Sequence, residues 1–278
     1  MHVGSYRGRG LSRFRTLNTA AFYVEIKDKS DIAEAFEAAR ERDLKVFVLG
    51  GGSNVFFENS EVKSAVIKNS LPAKIEHMGG DLYRVSSGLE MMQLLNFSLK
   101  NSLDCCYYLA SAPCQVGGAI AMNAGSGIKD GLSISDFVES VEYFDGERII
   151  EAPKSDIDFD FRHTTFLEKE TFIISAVLRL PRKKIDGNPI RERLEWARKN
   201  QDLESNNCGS LCDKYYAPIL KLARMLFKFA PAGLSEKKLN WAVNKSDNPV
   251  WLKSLLRLIS LLHSMLGKAL KFEIRIVP

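Results

Sequence analysis

The chain has 278 residues, and its 39 basic and 34 acidic side chains leave a net charge of +5 with no basic run interleaved with aromatics, which argues against a nucleic-acid partner. Its five cysteines are odd in number and lack the second His/Cys cluster of a metal site, so neither a disulfide framework nor a metal is expected. No apolar leader follows Met1, and Lys253, Arg257 and His263 interrupt the leucine-rich run 250–266, so a cytoplasmic protein without membrane insertion is expected.

The basic, Gly-containing stretch 7–15 reads as a loosely ordered arm. Residues 18–26 end in alternation and predict a strand, and Ser30 is placed to cap a helix reaching about residue 42 through Ile32, Phe36 and Ala39. Residues 45–49, 65–67 and 82–86 predict strands, and 90–101 a helix with Met92, Leu95 and Leu99 on one face. Residues 138–144 and 148–150 predict a hairpin about Asp145-Gly146, and a strand follows at 172–180. Residues 183–187 read as a linker, after which Asn188-Pro189 starts a helix. Helices at 219–229 and 250–266, a short strand at 240–243 and a closing alternating strand at 271–277 complete the chain. The leucine stripe of the last helix is too short for several heptads and reads as core.

Two glycine-rich segments stand out. Leu49-Gly50-Gly51-Gly52-Ser53-Asn54 follows an apolar strand. Successive glycines permit positive φ and close backbone approach, and freed N–H groups in such a turn form an anion-binding concavity. About 60 residues later, small residues dominate from Ala112 to Gly125, a candidate floor for a planar ring. The first loop does not open directly onto a helix, so the dinucleotide fingerprint of the G-x-G-x-x-G kind does not apply.

The ordered set of motifs resembles the UDP-N-acetylenolpyruvoylglucosamine reductase family, FAD enzymes of peptidoglycan-precursor synthesis. Asn18-Thr19 is similar to its opening Asn-Thr, and Gly50, Gly51, Gly52, Ser53 and Asn54 to its pyrophosphate loop. Ser87-Gly88 is similar to its Ala-Gly turn, while Pro113-Cys114, Val116-Gly117-Gly118 and Asn123-Ala124-Gly125 are similar to its second flavin-contacting segment. Phe159-Asp-Phe-Arg162 resembles its Phe-Gly-Tyr-Arg. More weakly, Arg198, Gln201, Cys208-Gly-Ser210, Ser235-Glu-Lys and Glu273 fall where the family has corresponding residues.

The resemblance implies an α+β fold: a two-subdomain FAD-binding domain of the vanillyl-alcohol-oxidase/peptidoglycan-reductase type at 1–182, and a smaller α+β substrate-binding domain at 183–278. It implies FAD as cofactor and NADPH as hydride donor, with a nucleotide-sugar or other small-molecule substrate. Arg162, Ser210 and Glu273 would be catalytic: Arg162 and Glu273 would polarise the substrate carboxylate, and Ser210 would donate a proton. Arg198, Lys214 and Lys238 would bind substrate.

The chain also departs from the family's pattern. Cys114 replaces a glycine, Phe161 a tyrosine, Asp213 a lysine, Lys214 an asparagine and Lys238 a histidine. Three readings therefore stand side by side. One is the peptidoglycan reductase. The second is a related FAD oxidoreductase for another unsaturated or enolpyruvyl acid. The third is a flavin-binding module without turnover.

Overall fold

Strand alternation and two changes of strand partner organise the chain. The computed structural model describes residues 1–127 and 131–278. Its secondary structure opens with β1 (Gly4–Gly8) and β2 (Asn18–Ile26), the latter turning Asn18, Ala20, Phe22, Val24 and Ile26 inward. Then come α1 (Asp31–Arg40), β3 (Val46–Leu49), β4 (Val55–Phe57), β5 (Glu61–Val62), β6 (Ala65–Asn69), β7 (Ile75–Gly79) and β8 (Leu82–Ser86). The middle of the chain holds α2 (Met91–Lys100), α3 (Val116–Ala121), β9 (Val138–Phe144), β10 (Ile149–Pro153), β11 (Phe159–Asp160), β12 (His163–Thr164) and β13 (Phe172–Arg179). The last third holds α4 (Pro189–Asn200), β14 (Cys212–Lys214), α5 (Ala217–Leu226), β15 (Ala232–Leu234), β16 (Ala242–Asn244), α6 (Val250–Met265), β17 (Lys271–Phe272) and β18 (Arg275–Val277). The α+β class is as expected.

These elements form two compact units. The first comprises Met1–Gly4, Phe22–Gly51 and Ala65–Trp196; the second comprises Ser5–Ala21, Gly52–Ser64 and Ala197–Pro278. The division is thus discontinuous, and its last crossing lies between Trp196 and Ala197, inside α4, instead of in the polar stretch after residue 182. The physical cause is strand pairing: β4 finds its partner in β18, more than 200 residues further along the chain.

In the first unit, β6 lies between β2 and β3 and is parallel to both. A second sheet runs in the order β10-β9-β13-β8-β7 with antiparallel pairing. Its strand β13 is buried on both faces: Phe172 and Ile174 join Phe36 and Ile32 of α1 in one core, while Ile173, Ala176 and Leu178 join Leu94, Leu95 and Ile120 in another. Burial on both faces explains why its sequence is a continuous apolar run. Helix α2 begins with a capping box between Glu90 and Gln93. Ser30 occupies the N-cap of α1, but its hydroxyl donates to Asp28 Oδ1 at 2.7 Å instead of capping the helix.

In the second unit, a core of Phe14, Phe56, Leu211, Leu220, Leu255, Ile259 and Ile274 gathers residues from all three of its segments. The expected loose arm at 7–15 is corrected here. Leu11 and Phe14 are buried, Phe14 packs edge-on against Phe56 at 5.9 Å, and Arg9 pairs with Asp247. Two apolar anchors three positions apart among basic residues were masked by their polar neighbours.

The expected single strand at 271–277 is also corrected. β17 pairs antiparallel with β14, and β18 pairs parallel with β4, so the chain changes partner and bends at Glu273–Ile274. β4, β5 and β7 were not foreseen: β4 and β5 are only three and two residues long, and β7 is mostly exposed and lacks an apolar alternation.

Phe172 has no exposed surface and fills the centre of its core. Phe172→Ala should cost about 3–5 kcal/mol of stability, read from the midpoint of urea unfolding at constant slope. A loss below about 1 kcal/mol would show that this core can collapse around the gap.

Candidate active site

The first glycine loop leaves β3 at Gly50. Lys68 of β6 donates through Nζ to the Gly50 carbonyl, tying the loop to the neighbouring strand. Burial lowers the pKa of this lysine, opposed by the carboxylates of Glu90 and Glu25. Gly51 lies close to the second glycine segment: a Cβ on it would stand 3.3 Å from the Pro113 carbonyl oxygen. Gly52 has φ +66°, and a Cβ there would meet the Leu11 carbonyl oxygen at 2.5 Å. Only glycine meets both demands. Among the described residues, the backbone N–H groups of Gly51, Gly52 and Ser53 donate to no protein acceptor. Successive undonated N–H groups of this kind suit a phosphate oxygen.

The other cofactor candidates of the first unit converge on the same segment. Gly117 N–H donates to the Ser87 carbonyl at 2.9 Å, and a Cβ on Gly117 would sit 2.7 Å from Ser87 Cβ. Ser87 is itself fixed by Asn69, whose Nδ2 donates to its hydroxyl at 2.8 Å. A Cβ on Gly88 would meet the Leu71 carbonyl oxygen at 2.1 Å, which forces glycine at that turn. Val116 is buried in the core, and Cys114 packs against that core as a small apolar residue. By contrast, a Cβ on Gly118 would touch no protein atom within 4 Å.

The segment Asn123-Ala124-Gly125 carries the Arg162 hairpin. β11 and β12 pair Phe159 with Thr164 and Asp160 with His163, leaving Phe161 and Arg162 as the turn. Asn123 Nδ2 donates to the Asp160 carbonyl at 3.0 Å, Thr164 Oγ1 to the Ala121 carbonyl at 2.6 Å, and Arg162 Nη2 to the Gly125 carbonyl at 2.9 Å. Arg162 has φ +56°, a conformation costing a non-glycine residue about 1–3 kcal/mol. The three hydrogen bonds offset that cost and fix where its guanidinium starts.

In the second unit, Asn18 is fully buried and committed to structure: its Oδ1 accepts from Thr16 Oγ1 at 2.9 Å and its Nδ2 donates to the Asn59 carbonyl at 2.9 Å. Thr19 pairs with Glu61 of β5, and its N–H donates to the Ser60 carbonyl at 2.7 Å. Asn54 links the glycine loop to the end of the chain. Its Nδ2 donates to the Glu273 carbonyl at 3.0 Å, and its own carbonyl accepts from the Arg275 N–H at 3.0 Å. Glu273 N–H in turn donates to the Leu211 carbonyl at 3.0 Å, next to Ser210. Asn54, Ser210 and Glu273 are therefore joined through adjoining backbones. Ser210 is half-buried and bridges to Trp241.

The thiols beside Ser210 are held neutral. Burial, with help from the Asp213 and Glu273 carboxylates, pushes Cys212 up to about 12, and burial raises Cys208 too. Lys238 is half-buried and lies over the Trp241 ring at 5.8 Å, whereas Arg198 and Lys214 are exposed. The Arg198 carbonyl accepts from Lys237 Nζ. Asp202 joins these two loops, its Oδ2 accepting from Ser235 Oγ at 2.7 Å.

A family model described as an FAD binding domain matches residues 20–148. UDP-N-acetylenolpyruvoylglucosamine reductase of Aquifex aeolicus is 29% identical over 244 residues, covering 85% of this chain and 81% of its own. The protein of the same name from Protochlamydia amoebophila is 24% identical over 267 residues, covering 93% and 88%. The crystal structure of UDP-N-acetylenolpyruvylglucosamine reductase from Thermus caldophilus shares the fold, with a TM-score of 0.79 and 21% identity over 100% of both chains. Over most of its length the chain is thus similar to the UDP-N-acetylenolpyruvoylglucosamine reductases, with an FAD-binding domain in its first half.

The chain is an FAD-dependent oxidoreductase. Its residues fit FAD: three N–H donors wait at the first loop, Gly118 leaves open space, and the buried Gln115 Oε1 and Ser126 Oγ have no protein partner among the described residues. Gln115 and Lys68 were missed from sequence. Gln115 is a lone long polar side chain inside a run of small residues, which is a usable signal, whereas Lys68 carries none.

The family's lysine position holds Asp213 in this chain. Its side chain is only 5% exposed, with Oδ2 at 3.3 Å from Lys271 Nζ and Oδ1 without a partner among the described residues. Phe161, in place of a tyrosine, is partly exposed beneath the Arg162 guanidinium, 5.4 Å from its ring centroid.

Two measurements probe these arrangements. Gly118→Ala should leave the apoprotein as stable or up to about 1 kcal/mol more stable, because alanine is the better helix former, yet weaken FAD binding at least about tenfold, equivalent to about 1.4 kcal/mol. Gly117→Ala should instead destabilise the apoprotein by about 1–3 kcal/mol through its clash with Ser87. Unfolding curves and flavin titration separate the two, and equal FAD affinity for wild type and Gly118→Ala would remove Gly118 from the cofactor site.

Burial raises the Asp202 carboxyl, but the hydrogen bonds from Ser235 and Ser205 outweigh it and hold the group below its ordinary value. A lowered folded value means stabilisation that is present above about pH 4 and lost as the pH falls through the folded value. Asp202→Asn should therefore cost about 1 kcal/mol at neutral pH and nothing in acid. A pH-independent cost would refute the charge-based account.

Proposed function

We propose that this chain reduces the enolpyruvyl group of UDP-N-acetylenolpyruvoylglucosamine with NADPH, giving UDP-N-acetylmuramate. The observation that carries the reading is the backbone linkage of Ser210, Glu273 and Asn54, which sets a hydroxyl and a carboxylic acid at the end of the phosphate-binding loop. Bound FAD would supply the relay of a hydride from NADPH to the enolpyruvyl double bond. In this reading the first unit mainly holds the cofactor, through Gly50, Gly51, Ser87, Gly88, Pro113, Cys114, Val116–Gly118 and Asn123–Gly125, and the second mainly holds the substrate. Gly52, Ser53 and Asn54 continue the loop, and Asn18 and Thr19 of β2 hold the backbone at 59–61, further along the same segment.

The residues then have separable tasks. Arg162 Nη atoms, starting from a fixed turn, balance the substrate carboxylate as negative charge develops next to it. Glu273, protonated when substrate is bound, donates a hydrogen bond to the same enol-like state. Ser210 Oγ donates the proton that completes the reduction. A serine hydroxyl is a weak acid, so its placement by the Leu211–Glu273 and Ser210–Trp241 pairings matters more than its intrinsic acidity. Arg198, Lys214 and Lys238 supply cationic groups for a phosphorylated substrate. We place the reaction in the cytoplasm, where its nucleotide substrates are made. No helix among the described residues is long and apolar enough to cross a membrane.

Asp213 favours a second reading. A buried carboxylate at the family's lysine position suits a substrate less anionic than a nucleotide diphosphate, such as another unsaturated acid. The purified protein should be yellow or take up FAD, and a colourless protein that does not would end both readings. Under anaerobic conditions NADPH should bleach the flavin and UDP-N-acetylenolpyruvoylglucosamine should restore its colour. Bleaching without restoration would select the second reading. Ser210→Ala should leave bleaching unchanged and slow restoration by about 10²–10⁴-fold. Unchanged restoration would remove Ser210 as the proton donor.

A further inference from the structure

Helix α5 has two apolar faces. Leu220 and Ala223 point into the core of the second unit, and Ile219 beside them is buried. Leu222, Met225, Leu226 and Phe229, at i, i+3, i+4 and i+7, point to solvent, with Phe229 in the turn just beyond the helix. Met225 is 65% exposed and Phe229 93%. A helix that serves only a globular core carries one such stripe.

Helix α6 repeats the feature at its C-terminal end, where Leu261, Met265 and Leu266 are exposed, Met265 by 72%. The His263 ring sits at the start of α5, its Nε2 accepting from the Tyr216 N–H at 2.9 Å, and Lys268 lies over the Tyr216 ring at 5.2 Å. Both solvent-facing apolar sets therefore belong to one packed helix pair.

The sequence that carries them is basic, although Arg224 and Lys271 are partly balanced by Glu236 and Asp213. Residues 214–235 contain Lys214, Lys221, Arg224 and Lys228 and no acidic residue, and residues 248–272 contain Lys253, Arg257, Lys268 and Lys271 and none either. Glu236 reaches Arg224 at 3.8 Å, and Lys253 is engaged by Glu58 at 3.7 Å. Lys228, beside Phe229, holds its ammonium 5.6 Å from that ring.

We propose that the α5–α6 face docks peripherally on an anionic phospholipid surface, with Met225, Leu226 and Phe229 entering the interfacial region and Lys221, Arg224 and Lys228 meeting the headgroups. Exposed apolar side chains flanked by basic ones, on helices too short to span a bilayer, are the pattern of interfacial binding. A second copy of the chain fits less well, because a two-fold contact through this face would set Lys221, Arg224 and Lys228 near their own equivalents.

The test uses full-length FAD-loaded protein sedimented with vesicles of phosphatidylcholine alone or of equal parts phosphatidylcholine and phosphatidylglycerol. Binding is expected to the mixed vesicles only and to weaken with added salt. Lys228→Gln should lower the partition coefficient about fivefold, and Met225→Ser with Phe229→Ser should abolish binding, the flavin spectrum remaining that of wild type. Failure of wild type to bind mixed vesicles at low salt would overturn the proposal, as would equal binding to both vesicle types. A dimer in light scattering that Phe229→Ser dissolves, without vesicle binding, would assign the face to a second copy instead.

Discussion

Much of the second unit depends on one close backbone approach. Gly52 passes so near residues 11–13 that its missing side chain is a requirement, and the Arg13 N–H donates to the Gly52 carbonyl at 3.0 Å. Ser12 adds a hydrogen bond from Oγ to the Val55 carbonyl, just as β4 begins. The buried Leu11 and Phe14 hold that segment down. The loop is thus shaped by a stretch of chain that supplies none of the expected ligand contacts. β4 then sets β18, and β18 sets the bend at Glu273. A conformational demand at one glycine is transmitted along strands to the position of a carboxylate.

The segments that carry fold and cofactor were legible because their constraints are local. Gly52, Gly88 and Gly117 must be glycine for steric reasons that operate against one neighbouring stretch of chain, and runs such as 172–180 announce burial directly. Features set by distant pairing were not legible. Nothing in Arg7–Arg15 signals that two of its residues reach a core, and the alternation at 271–277 gives no hint that its two halves serve different sheets. Lys68 shows the same limit from the side-chain end: its role depends on which strand lies beside Gly50. The discontinuous units have the same origin, since a boundary defined by pairing leaves no mark in composition.

The substrate side is chemically quiet except where it is acidic. Cys208 and Cys212 flank Ser210, yet burial keeps both thiols protonated, so neither offers a ready nucleophile. Asp213 and Glu273 add negative character around Cys212, and Lys271 balances one of the Asp213 oxygens. Such a site favours groups that donate hydrogen bonds.

The pairing of β4 with β18 also orders events in time. During synthesis, Phe14, Phe56 and Phe57 leave the ribosome long before residues 275–277 exist to cover β4. At about 5–20 residues per second, these aromatic side chains wait on the order of ten seconds or more without their partner strand. The first unit meanwhile has nearly all its residues and can fold around α1 and the two sheets. The nascent chain therefore spends much of its synthesis with nearly all of one half in hand and the other half still lacking the strand that covers β4.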